Sequence, residues 1–96
     1  MNDKELYKQK SQAQLDERKA DIAKLKAKAA GTKADAQIAM NQEIQALECK
    51  LEDAQAKFAE LAGASEDAWD SIKNGVESAW ESLRSAVSDA ASKFKD

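Results

Sequence analysis

The amino-acid sequence predicts an all-α protein with coiled-coil packing, and three observations carry that prediction. The 96 residues include no proline and only three glycines, and alanine, lysine, glutamate, glutamine and aspartate outweigh the large apolar and aromatic residues. Such a balance suits long helices better than a mixed globular fold. From Leu15 to Leu61 the apolar residues stay on one narrow stripe when each residue advances by about 100°. In the last third, residues 68–94 align with themselves at a shift of eleven. The β-branched residues are scattered without alternation, which argues against a sheet.

The chain starts weakly. Leu6 and Tyr7 do not join the apolar stripe cleanly, and Ser11 and Arg18 occupy positions where seam residues belong. Fraying or a looser contact is expected over this first stretch. From there the stripe runs through Leu15, Ile22, Leu25, Ala29, Ala36, Met40, Ile44, Leu47, Leu51, Ala54, Phe58 and Leu61. Between Ile44 and Leu61 its spacing is 3,4,3,4,3, a heptad seam, whereas the consecutive fours through Ala36, Met40 and Ile44 relax the left-handed supercoil.

Two places offer an interruption of this helix. Gly31-Thr32 followed by Asp35 offers a C′ glycine, an N-cap and a capping-box acid. Continuity is preferred there, because the stripe keeps its phase from Leu25 to Met40 and a glycine inside a helix costs only about 1 kcal/mol. The stronger signal is Gly63-Ala64-Ser65-Glu66-Asp67, which places an N-cap serine before two acids in a first helical turn, where the helix dipole favours them. A turn is expected at 63–65. Trp69 is in phase with Leu61, so one helix through nearly the whole chain is an alternative.

In the repeat, Ala68-Trp69-Asp70-Ser71-Ile72-Lys73 matches Ala79-Trp80-Glu81-Ser82-Leu83-Arg84, Val76 matches Val87, and a degraded third copy begins at Ala90-Ala91 and holds Phe94. Eleven residues over three turns favour a straight or slightly right-handed coil, with a seam of Trp69, Ile72, Val76, Trp80, Leu83, Val87, Ala91 and Phe94. Beside it lies a small-residue stripe, Ala68, Gly75, Ala79, Ala86 and Ala90, which lets a second helix approach. This helix is therefore expected to touch two neighbours. Its far face is wet, with Ser71, Ser78, Ser85 and Ser92 recurring among acids.

The tail from Asp67 to Trp80, behind an Ala/Lys/Gln/Glu-rich helix, resembles a family of small bacterial proteins described only as coiled-coil-domain proteins. The likeness runs from Leu15 onward and its specific part is the tryptophan repeat; Arg18 and Gly31 depart from the family's pattern. It implies a helical, cytoplasmic, non-enzymatic protein of poorly defined role, linked to stress. By its eleven-residue period alone the tail is also similar, more weakly, to apolipoprotein-type lipid-binding helices.

The residue inventory points away from catalysis. There is no histidine to serve as a base or to complete a carboxylate di-metal site, so Glu43, Glu48, Glu52 and Asp53 read as a solvated face. Cys49 is the single cysteine, lies off the seam and lacks a base or a cationic cluster. No cofactor and no small-molecule substrate is expected. The net charge of −3 conceals nine basic against five acidic residues in 1–33 and six against thirteen in 34–96. Opposite ends favour folding back on one another, within the reach that salt screening allows. The basic end, including Lys24, Lys26, Lys28 and Lys33, is short and partly neutralised, which argues against nucleic acid. No apolar run approaches the roughly 20 residues of a membrane span, and a lone cysteine suits a reducing cytoplasm.

The expected architecture is one domain: a long coiled-coil helix over 1–62, a turn at 63–65 and a repeat helix over 66–96. The alternative is a three-helix bundle broken near 31 and 64. Helices of roughly 90 and 45 Å cannot cover each other fully at about 1.5 Å per residue. The association seam (Leu15, Ile22, Leu25, Met40, Ile44, Leu47, Leu51, Phe58, Leu61 and the repeat's large residues) therefore predicts a homo-oligomer, a dimer or trimer. The expected function is a structural or interaction protein acting by helix–helix self-association. The alternative is a peripheral lipid-binding helix using Trp69, Ile72, Val76, Trp80, Leu83 and Val87, disfavoured by its acidic back.

Overall fold

The computed structural model describes residues 3–94. Three helices account for nearly all of them: α1 (Asp3–Ala30), α2 (Ala34–Ala62) and α3 (Glu66–Lys93). They pack side by side into a body of 51 × 20 × 17 Å, the length of a single helix. Short joints make successive helices antiparallel, so α1 and α3 run parallel. Tyr7 meets Trp69 at one end, and Lys26 meets Glu48 where α1 and α2 pass in opposite directions.

The chain is all-α, but the long helix over 1–62 is interrupted, and the three-helix alternative is the one found. At the first joint the Gly31 and Thr32 amides donate to the Lys28 and Ala29 carbonyls, both at 3.1 Å, which tightens the last turn of α1. Thr32 Oγ1 donates to the same Ala29 carbonyl at 2.8 Å. Lys33 is then extended, with φ −64° and ψ 154°, and starts α2 as its N-cap without a side-chain hydrogen bond. Thr32, expected as a cap for α2, thus serves the end of α1, and Gly31 keeps a negative φ.

Magnitudes explain why folding back prevails over continuity. The bend forgoes a few backbone hydrogen bonds, each worth about 1 kcal/mol net. It buries Leu15, Ile22, Leu25 and Ala29 of α1 against Met40, Ile44 and Leu47 of α2. Each large apolar side chain removed from water contributes about 1.5–3 kcal/mol, so the burial outweighs the break. Ala36 and Ile38, beside the joint, are the local casualties: the first is exposed and the second is 59% exposed.

The second joint follows its sequence signals. Ser65 is the extended N-cap of α3, and its Oγ accepts the Ala68 amide at 3.4 Å. Glu66 and Asp67 occupy the first turn. Gly63 ends α2 with φ −98° and donates to the Ala59 and Glu60 carbonyls at 3.3 and 3.2 Å.

The most deeply buried apolar side chains belong to α2 and α3. Ala54, Leu61, Val76 and Leu83 have no exposed surface, and Ala90 has almost none. Leu51, Phe58, Ile72, Ala79, Ala86 and Phe94 are half-buried around them. Cys49 is exposed on the outer side of α2.

Candidate association surface

The surface is built on α3, whose two long edges face different helices. Toward α1 it presents Trp69, Trp80 and Val87. The Trp69 ring stands edge-on to the Tyr7 ring at 6.1 Å and 74°. Val87 shares a hollow with Leu25 of α1. Toward α2 it presents the side that includes Ala79 and Ser82, the latter accepting from Lys50 Nζ at 3.1 Å. Val76 and Leu83 lie between the two edges and are fully buried. One helix thus serves both neighbours because its period of eleven over three turns keeps each edge straight along its length.

Residues 69–79 and 80–90 each match the TMP repeat family model. The two matched segments begin on the two tryptophans and are contiguous, and together they form most of α3. No curated protein and no solved structure matches the chain.

The remaining seam residues fall into place along these contacts. Leu15, Ile22, Leu25, Met40, Ile44, Leu47 and Leu61 are buried, as are Val76, Trp80, Leu83 and Val87 of the TMP repeats. Ala91 is exposed and Ala90, placed in the small-residue stripe, is buried in its stead. Ala68 and Gly75 are half-buried, and a Cβ added at Gly75 meets nothing within 4 Å. No close backbone approach demands glycine there. The apolar face of α3, on which lipid binding would depend, is turned into the bundle.

Ser11 and Arg18, read as polar residues at seam positions, and Tyr7, read as standing off the stripe, all belong to the inner face of α1. Tyr7, Ser11 and Arg18 continue the threes and fours of the seam toward the N-terminus, and that spacing was the available signal. Ser11 is buried, and it lines one hollow with Tyr7 and with Glu77 of α3. Lys73 Nζ lies 4.9 Å above the Tyr7 ring and Lys4 Nζ 5.2 Å above that of Trp69. The expected loose start is in fact pinned to α3 by aromatic and cationic contacts.

Between α1 and α3 the packing is incomplete. A crease holds a hollow of about 340 Å³ lined by Gln14, Glu17, Arg18, Trp80, Glu81 and Arg84. Arg18 lies along it with its side chain 17% exposed, paired to Glu17 at 3.2 Å and Asp21 at 3.5 Å. Arg84 is answered by Glu81 at 2.8 Å, so both cations are neutralised locally. Trp80 is 6% exposed and its Nε1 is buried without an acceptor among the described residues. An unpaired buried donor costs about 1–3 kcal/mol. The α1–α3 contact is therefore the least satisfied of the three.

Opposite charges bridge each helix pair: Lys4–Glu66 at 3.4 Å, Lys26–Glu48 at 3.2 Å and Lys93–Glu43 at 3.0 Å. Of the basic cluster Lys24, Lys26, Lys28 and Lys33, Lys26 meets Glu48 of α2. Of the acids read as a solvated face, Glu52 and Asp53 are exposed, while Glu43 and Glu48 are half-buried and engaged in these pairs. Among the described residues no helix is long and apolar enough to cross a membrane.

Proposed function

We propose that this chain is a non-enzymatic interaction protein in which the α2–α3 pair is a platform that accepts a third helix, and that it works by helix–helix association with further copies of itself. One observation carries the reading: the platform is tightly packed while its third helix is not. Ala54 and Leu61 of α2 and Val76 and Leu83 of α3 are fully enclosed in the bundle. By contrast α1 offers Ser11 and Arg18 at seam positions, and a hollow with an unpaired indole N–H separates it from Trp80. A helix whose inner face carries polar residues and borders an unfilled hollow is released at lower free energy than one whose contacts are all satisfied. The platform it leaves is a hydrophobic groove that recognises an amphipathic helix with apolar residues three and four apart.

Sedimentation equilibrium over a wide concentration range tests this. The expected result is a mass that rises above the 10.5 kDa of one chain as concentration increases. A mass that stays at one chain throughout would sink the proposal.

A further inference from the structure

We infer that two copies of this chain exchange α1, each α1 packing on the α2–α3 pair of the other copy, with residues 31–33 straightened into helix. This rests on the helix-accepting reading above and names its occupant as the second copy's α1. The first joint is built to straighten. Lys33 already has a helical φ of −64°, and only its ψ of 154° departs from helix. Gly31 and Thr32 keep helix-like bonds to Lys28 and Ala29, and neither has a positive φ.

The bend also leaves something to gain. Helix α2 starts without a side-chain cap, so its first amides lack the partners that a straight chain would give them in the carbonyls of residues 29–32. The apolar phase survives straightening. Ala29 and Met40, buried on either side of the bend, are eleven residues apart, which is three turns of a straight helix. A continuous helix therefore carries Leu25, Ala29, Met40 and Ile44 on one face. The second joint has a similar backbone, with Ser65 at φ −69° and ψ 165°, and differs in its cap: Ser65 Oγ bonds the Ala68 amide, a bond that would be lost on straightening.

Exchange reproduces between copies every contact that α1 makes within one chain, so concentration sets the balance between closed monomer and exchanged dimer. The ion pairs label the outcome. Lys26–Glu48 joins α1 to α2, whereas Lys93–Glu43 joins α2 to α3, and both are accessible on the surface.

Heavy-isotope-labelled and unlabelled chains are unfolded, refolded together at high concentration, and the dimer is isolated by size exclusion and coupled with a carbodiimide, which joins paired amines and carboxylates. The expected Lys26–Glu48 link includes pairs of one heavy and one light peptide, while the Lys93–Glu43 link stays within one isotope. Ala34→Pro, at the first position of α2, holds Lys33 extended and is expected to abolish the exchanged dimer while circular dichroism keeps its helical content. Lys26–Glu48 links exclusively of a single isotope in the isolated dimer would overturn exchange and leave association standing. A chain that never dimerises would overturn both. Mixed-isotope links in Ala34→Pro would overturn the assignment of the hinge.

Discussion

Tyr7 shows what a polar seam position can do when its partners are also polar. Its phenol is held above the ordinary value of 10.0, first by burial and then by the charge of Glu77. The folded state therefore favours the neutral phenol. Its contribution to stability is fully present below pH 10.0 and is lost as pH rises through the higher folded pKa. Phenolate absorbance should titrate above the value of a free tyrosine, and Glu77→Gln should bring the midpoint back down. A midpoint at the free value, indifferent to Glu77→Gln, would remove this account of the α1–α3 contact. At Gly31 the prediction runs the other way from intuition about turn glycines. Its φ is not positive and an added Cβ comes no nearer than 3.7 Å to the Lys28 carbonyl, so nothing here needs glycine. Gly31→Ala should stabilise the chain by about 0.4–1 kcal/mol through its unfolded state, as chemical denaturation would register.

The helices differ in how they begin, and that difference is measurable. Ser65→Ala removes the cap from α3 and should cost about 1 kcal/mol. Lys33 gives α2 no cap, so Lys33→Asp should add a comparable amount by supplying a carboxylate to the first amides and the helix dipole. Equal responses at the two joints would contradict the capping assignments. Within α3, Leu83→Ala should cost about 2–5 kcal/mol because the side chain is fully enclosed, while Ile72→Ala, half-buried, should cost clearly less. The α3 helix was legible in the sequence because its signals agree: a serine cap, two acids and an eleven-residue period that recurs through Trp69 and Trp80. The end of α1 was not. There the stripe keeps its phase through Gly31, and local pattern has no means of weighing a continuous helix against burial that arises only when the chain folds back.

At the scale of the molecule, the charge asymmetry between the ends of the chain told part of the arrangement. It favoured folding back, and Lys4–Glu66 and Lys26–Glu48 are the result, yet exposed pairs of this kind contribute only about 0–1 kcal/mol each and align helices without choosing among folds. The choice comes from the apolar stripe, which one bend at 31–33 converts from a long exposed seam into the inner faces of two helices. The same stripe that suggested an open oligomer is thus covered within one chain. The crease beside Trp80 was beyond sequence reasoning, since it exists only where Ser11, Gln14 and Arg18 come to lie across from the indole. The bend at residues 31–33 is the claim on which the rest depends, and small-angle scattering extrapolated to zero concentration tests it most directly. A compact particle with a radius of gyration near 15.5 Å is predicted. A rod whose long dimension approaches roughly 90 Å, the reach of an unbroken first helix at about 1.5 Å per residue, would contradict it.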